Sequence, residues 1–396
     1  MTTPRPAAPY IMSVDLMRGL VMVLMALDHV RGFFTDADFR ATDLTRTTPA
    51  IFLTRWVTHL CAPVFVFLAG TSAYLSASRG MPRPQLARRL LLRGLWLVFL
   101  ELTVVRLAWF FNFDPAMMDL QVIWALGWSM VVLAGLVFLP MRAIAAFGIG
   151  MILMHNLLDG IRLEDFQAAD GSLAWQGWLI SVLHVPRFPV VYPLIPWVGV
   201  MAAGYAFGPV MLLLPERRRL HALRWGIALV VAFVALRALN AYGDPDPWSI
   251  RETLLFTLLS FVNTTKYPPS LLYLLMTLGP MFLLIAAFER WHEADVAHGP
   301  HGPAGRFLIT FGRVPLFFYL LHLYAVHGLA VATGWLMSGE AGHFLTHSGD
   351  FPRWWGFSLP MAYLIWIAVT LLLYPLCRYF AAIKVRHRGS WWTPYI

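Results

Sequence analysis

The chain has 396 residues, of which 59% are hydrophobic and only 13% charged, with a mean hydropathy of +0.64. A soluble domain carries about a quarter charged residues, so an ordinary water-soluble enzyme is excluded. The net charge of +9 does not point to nucleic acid, because the basic residues gather in alternate loops, as membrane insertion leaves them. Apolar stretches recur from end to end at roughly 14–35, 56–78, 88–111, 120–139, 141–158, 190–213, 221–240, 267–288, 307–336 and 358–380. About 20 residues of helix cross a hydrocarbon core, and these stretches lack the alternation of a barrel strand. The expectation is an all-α, polytopic transmembrane helical bundle of about 10 spans, forming a single membrane-embedded domain over residues 1–396. Ser13 reads as the N-cap of the first helix, with Asp15 in its first turn. Asp15 and Arg18 interrupt the first apolar run, which argues against a cleavable signal.

Charge then orients the bundle. Arg79, Arg83, Arg88, Arg89 and Arg93 follow the second span, Arg217, Arg218, Arg219 and Arg224 the sixth, and Arg378, Lys384, Arg386 and Arg388 close the chain. The intervening loops are acidic: Asp36, Asp38 and Asp43; Asp114 and Asp119; Asp159, Glu164, Asp165 and Asp170; Asp244, Asp246 and Glu252. Placing the basic loops in the cytoplasm puts the N-terminus in and the C-terminus in. Two outer stretches, near 172–185 and 248–263, read as interfacial helices with Trp175, Trp178 and Trp248 at headgroup depth. Pro193 and Pro196 predict a kink near the outer end of the sixth span, and its glycines predict close packing. The His-, Gly- and Pro-containing stretch 292–305 reads as a cytoplasmic loop. Cys61 and Cys377 lie in separate apolar segments, which predicts neither a disulfide nor a metal cluster.

Ionisable groups inside spans are costly and face a cavity or another helix. At 100° per residue, Asp15, Arg18, Met22, Met25 and His29 share one stripe of the first span. Arg18 and His29 are three turns apart, roughly 16 Å of rise. A cation near the cytoplasmic surface therefore lines up beneath an imidazole in the outer half of the membrane. Asp28 falls on an adjacent face, one turn before Arg31, and is expected to pair with it or with another helix rather than orient its neighbour. An imidazole there can serve as general base or acyl acceptor, or simply as interhelical glue. His59 and His322 map to the same depth, and His327, Arg106, Arg237 and Lys266 map to outer ends. Glu101, in the middle of the third span, is read as protonated, paired with a base such as Arg106, or part of a cavity.

The opening SVDLMRGLVMVLMALDHVRGFF resembles the first helix of the transmembrane acyltransferases related to heparan-alpha-glucosaminide N-acetyltransferase, and of their bacterial members in particular. The similarity continues through APVFVFLAGTSAYLS (62–76), VIWALGWSMVVLAGL (122–136), YPLIPWVGVMAAGYAFG (192–208), TKYPPSLLYLLMTLGP (265–280) and GRVPLFFYLLHLY (312–324). The Asp-x-x-Arg-Gly start with a His 11 residues after the Arg is also similar to the acyltransferase-3 membrane family, whose catalytic histidine maps onto His29. The resemblance implies a membrane acyltransferase moving an acyl group, acetyl by preference, from acetyl-CoA on the cytoplasmic side. The acceptor would be an amine or hydroxyl of an extracytoplasmic glycan, sugar or lipid headgroup. It implies a catalytic set of His29, Asp28 and His322, with Arg18, Asp15 and Lys266 toward the acyl-CoA. Direct transfer and an acyl-histidine intermediate both stay open. The lysosomal enzymes place their central histidine in the loop after the first helix, whereas no His lies between His29 and His59. The expected setting is a bacterial inner membrane, multi-pass, with membrane lipid and the acceptor as partners and a homodimer left open; no nucleic acid and no metal are expected. A transporter or flippase for a polar or anionic small molecule is the alternative, disfavoured because no pair of matched broken helices is evident.

Overall fold

The computed structural model describes residues 11–395 apart from Pro115, Ala169, 299–301, Arg388, Trp391 and Pro394, and only the backbone of 292–298. Among the described residues the regular structure is helical, with a few isolated backbone bridges. The first half of the chain forms α1 (Met12–Phe34), α2 (Pro49–Thr58), α3 (Cys61–Ser78), α4 (Arg83–Leu100), α5 (Arg106–Phe110), α6 (Val122–Leu136), α7 (Met141–Met154) and α8 (Trp175–Leu183). The second half forms α9 (Trp197–Met211), α10 (Pro215–Leu239), α11 (Leu254–Val262), α12 (Leu271–His298), α13 (Pro303–Arg313), α14 (Pro315–Ser338) and α15 (Leu359–Arg386).

Six stretches are long and apolar enough to cross a membrane: Pro49–Ser78, Met141–Leu158, Pro215–Leu239, Leu271–Trp291, Pro315–Ser338 and Leu359–Arg386. α6 and α9 are apolar but shorter. α1 and α4 are long enough but charged, α1 by Asp15, Arg18, Asp28 and Arg31 and α4 by Arg83, Arg88, Arg89 and Arg93. α1 packs against α3, α12, α13, α14 and α15, which leaves its charged stripe turned inward among other helices. Its bundle neighbours approach to backbone distance where the sequence supplies glycine. A Cβ at Gly19 would collide with the carbonyl of Leu308 on α13, and one at Gly204 with that of Phe67 on α3. Small residues of this kind let helices gain dispersion contacts in lipid, where no hydrophobic drive separates helix from tail.

Several local expectations are corrected. Ser13 does not cap α1; it lies inside the helix, whose cap position is Ile11, and its hydroxyl donates to Glu289 of α12. Glu289 also holds Arg218 of α10, so three helices share one buried polar knot. Pro193 and Pro196 do not kink a span: the helix begins after them, at Trp197, because proline lacks the donor a helix interior needs. The ninth expected span, 307–336, is two helices broken at Val314, with Pro315 opening the second. The stretch 292–305 is not one loop: α12 continues through His298 and α13 starts at Pro303, while 299–301 lie outside the described residues. The segments near 172–185 and 248–263 contain short helices, α8 and α11, with Trp175 and Trp178 exposed.

Candidate active site

The N-terminal half of α1 faces a cavity of about 520 Å³. Asp15, Arg18, Met22 and Met25 line one wall, so the stripe read from helical periodicity is a cavity wall. Arg79, Arg313 and Lys384 enter from the ends of α3, α13 and α15, and Arg89 and Arg93 from the body of α4. Arg18 bonds Ser72 of α3 and reaches Asp15 at 3.5 Å, and Lys384 Nζ donates to the Arg313 carbonyl at 3.1 Å. Six cations therefore line the space beside one carboxylate, an arrangement suited to a polyanion. A shallower hollow of about 320 Å³, lined by Ser76, Arg79, Gly80, Met81, Gln85 and Arg89, adjoins it through shared residues. Farther in, the lining turns apolar, with Leu97, Ile123, Leu126 and Met130. The helix break places Pro315, Leu316 and Tyr319 of α14 on this wall, so the positive end of that helix also turns toward the cavity.

One turn beyond Met25, His29 meets His322. His29 Nδ1 and His322 Nε2 are 2.7 Å apart, with the rings parallel to within 5°. His322 is fully buried, and its Nδ1 lies 2.8 Å from the Phe318 carbonyl. A carbonyl only accepts, so His322 carries its proton on Nδ1 and offers a lone pair at Nε2. His29 must then donate from Nδ1, which leaves its own Nε2 unprotonated. The chain from Phe318 through His322 thus selects one tautomer of His29, the one with a free basic nitrogen. Trp109 packs edge-on to His29 at 5.0 Å and Tyr319, which also lines the cavity, at 6.3 Å. The residue separation of 293 explains why sequence could place the two histidines at one depth but not in contact.

Asp28 turns elsewhere. Its carboxylate accepts from Arg31 at 3.1 Å and from Arg55 of α2. It makes no hydrogen bond to either histidine among the described residues, so its place beside His29 in sequence gives it no hold on the imidazole. Lys266 lies on the Asp28 side, over the rings of Tyr267 and Tyr192 at 5.2 and 5.9 Å, and is not part of the lining that holds Arg18 and Asp15.

Glu101, Arg106, Arg237 and His327 hold backbone. Glu101 begins a π-helical turn, Glu101–Val105, and accepts from the amides of Gln121 at 2.9 Å and Trp124 at 3.2 Å. It caps α6 rather than pairing with Arg106, which instead donates to the carbonyls of Met117 and Asp114. Arg237 donates to the carbonyls of Phe261, Asp246, Ser260 and Asn263. His327 sits between the carbonyls of Ala108 and Phe344, and the carbonyl of buried His59 accepts from Tyr273. Neither histidine joins the His29–His322 pair. Sequence reasoning overlooked Arg55, Tyr319 and Trp109. Arg55 stood just outside the expected second span, and the two aromatic residues were indistinguishable from ordinary packing.

Apolar helices of spanning length around a charged cavity define an all-helical membrane protein. Within that class, residues 11–243 match the family described as heparan-alpha-glucosaminide N-acetyltransferase, catalytic, and the chain belongs to this family of membrane acetyltransferases. The matched residues include Asp15, Arg18, Asp28 and His29, and end before Lys266 and His322. No curated protein matches the chain.

Proposed function

We propose that this protein transfers an acetyl group from acetyl-CoA, held in the cationic cavity from the cytoplasmic side, to an amine or hydroxyl of a glycan, sugar or lipid headgroup on the opposite side. The observation that carries the reading is the Phe318–His322–His29 hydrogen-bonded chain, one helical turn beyond Met25 and next to Tyr319, the residues at which the lining of the arginine-rich cavity stops on α1 and α14. The cavity residues fit the donor. Arg18, Arg79, Arg89, Arg93 and Lys384 suit its phosphates, guanidinium being a good phosphate partner. The Met22–Met25 wall, roughly three helical turns or 16 Å from Arg18 to His29, suits its extended arm. Acetyl-CoA supplies a thioester carbonyl. His29 Nε2 takes the proton of the acceptor nucleophile as the new C–N or C–O bond forms, and returns it to the sulfur as the C–S bond breaks. His322 holds the tautomer that makes this proton transfer available.

The proposed topology counts ten crossings: α1, α2 with α3, α4 with α5, α6, α7, α9, α10, α12, α14 and α15, all within one membrane domain with both termini cytoplasmic. It rests on the alternation of basic and acidic loops. Single-cysteine labelling from either side tests it, with Arg79→Cys and Arg217→Cys expected to react only from the cytoplasm.

The function is tested on the purified protein in detergent by acetyl-CoA binding and by release of free thiol. Binding with turnover lost in His29→Ala is the expected result. Failure to bind acetyl-CoA overturns the reading, and full turnover in the variant removes His29 from the chemistry.

A further inference from the structure

We infer that the outer side of His29 is a binding site for a phosphate group carried by the acceptor, an assignment that rests on the acetyl-transfer reading. Arg31, Arg55 and Lys266 converge there from α1, α2 and the segment before α12, and the carboxylate that answers them is Asp28. Both Asp28 oxygens are taken by the two arginines. Among the described residues no carboxylate lies within ion-pair distance of Lys266, whose ammonium faces only the rings of Tyr267 and Tyr192. Three cations against one carboxylate leave two positive charges unanswered in a region where Arg31 and Arg55 are each only 15% exposed. Two polar atoms there are also buried without a hydrogen-bond partner, Arg31 Nε and His59 Nδ1. His59 is 3% exposed, and the charges of Arg55 and Lys266 act on it. A buried unpaired donor costs about 1–3 kcal/mol, and a low-dielectric setting sharpens uncompensated charge. A bound dianion answers both deficits at once.

The site's position gives it a role. Asp28 and His29 are consecutive, so the cluster lies on the face of α1 next to the one that carries the free imidazole nitrogen. A phosphate held by Arg31, Arg55 and Lys266 would anchor the acceptor beside His29 Nε2 while leaving its nucleophile free. A phosphorylated amino sugar answers both charges, and the phosphodiester of a lipid headgroup answers one of them while offering the same acceptor oxygens.

The test uses full-length protein saturated with CoA, so that the cytoplasmic cavity is already filled. Binding of glucosamine 6-phosphate is compared with that of glucosamine by calorimetry, in wild type, Lys266→Gln and, as a charge control on an exposed residue outside the cavity lining, Arg217→Gln. At least a tenfold preference for the phosphorylated sugar is expected in wild type. It should fall to within threefold in Lys266→Gln and persist in Arg217→Gln. In parallel, phospholipid retained through detergent purification is quantified: retention in wild type and loss in Lys266→Gln assigns the phosphate to a lipid and equally supports the site. No difference between wild type and Lys266→Gln in either measurement overturns the inference. Because these are binding measurements, they stand apart from the thiol-release assay. A protein that binds phosphate at Lys266 but consumes no acetyl-CoA would refute the acetyl-transfer reading and keep the site.

Discussion

The sharpest consequence of the imidazole pair concerns His322, a residue expected to work through His29. Replacing it by leucine keeps a side chain of similar bulk in a fully buried position but removes the acceptor 2.7 Å from His29 Nδ1. The stranded donor costs about 1–3 kcal/mol, which at 1.36 kcal/mol per decade is about 5- to 150-fold in rate. His29 can also escape that cost by moving its proton to Nε2, which abolishes the base. A general base contributes about 10²–10⁴-fold, so kcat in His322→Leu should fall about 10²- to 10³-fold. The KM for acetyl-CoA should stay within about threefold, because the cations lie elsewhere. The assay is release of free CoA thiol by the purified protein, with acceptor saturating. His322→Gln, whose amide oxygen can accept from His29, should recover about one of the lost decades or more, and a merely structural histidine would not show that recovery. A His322→Leu protein that keeps kcat within threefold of wild type, while His29→Ala is inactive, refutes the tautomer argument.

Arg18→Gln should raise the KM for acetyl-CoA about 10- to 100-fold with little change in kcat, the loss of one charge-assisted bond of about 1.5–3 kcal/mol. The deficit should shrink as ionic strength rises, and a KM unmoved by the change would detach Arg18 from the donor. Glu289→Ala leaves Arg218 buried without its carboxylate, which costs about 3–5 kcal/mol. A clearly lower melting temperature in detergent is expected, against which an unchanged melting curve would count decisively.

Much of the architecture was legible because lipid imposes it. A helix needs about 20 apolar residues to cross, and the recurrent stretches of such residues correspond to the helices of the structure to within a few positions at most ends. The α1 stripe was equally readable, since 100° periodicity alone puts Arg18, Met22 and Met25 on one face. The misplacements have local causes. The 307–336 stretch is apolar throughout, so hydropathy passed over the break that Val314 and Pro315 impose, and with it the fact that His322 sits only two turns into α14. Glu101 was undecidable because its partners are backbone amides 20 and 23 residues on, reached through a π-helical turn that no 3.6-residue pattern announces. The meeting of His29 with His322, and of Asp28 with Arg55, depends on packing between elements far apart in sequence. A single chain supplies depth for such pairs and nothing about rotation.

The division of labour between Asp28 and His29 bears on the choice between direct transfer and an acyl-histidine. Successive residues on a helix point about 100° apart, which lets Asp28 serve Arg31 and Arg55 while its neighbour turns to His322. The group that orients His29 is therefore a neutral imidazole, with no carboxylate hydrogen-bonded to offset a positive charge on the ring. On one side of His29 lies the cluster of Arg31, Arg55 and Lys266, on the other the arginine-lined cavity. Acylation at Nε2, with Nδ1 protonated toward His322, would place a full cation between these two positive regions. Charges of like sign repel strongly where water is scarce, so a lasting acyl-imidazolium is the costlier path. A proton that His29 takes from the acceptor and returns to sulfur within one encounter holds the ring cationic only for the length of the transfer. Rapid acid quench after mixing with radiolabelled acetyl-CoA should accordingly leave no label on the protein. Label approaching one acetyl per chain, absent from His29→Ala, would reverse the conclusion.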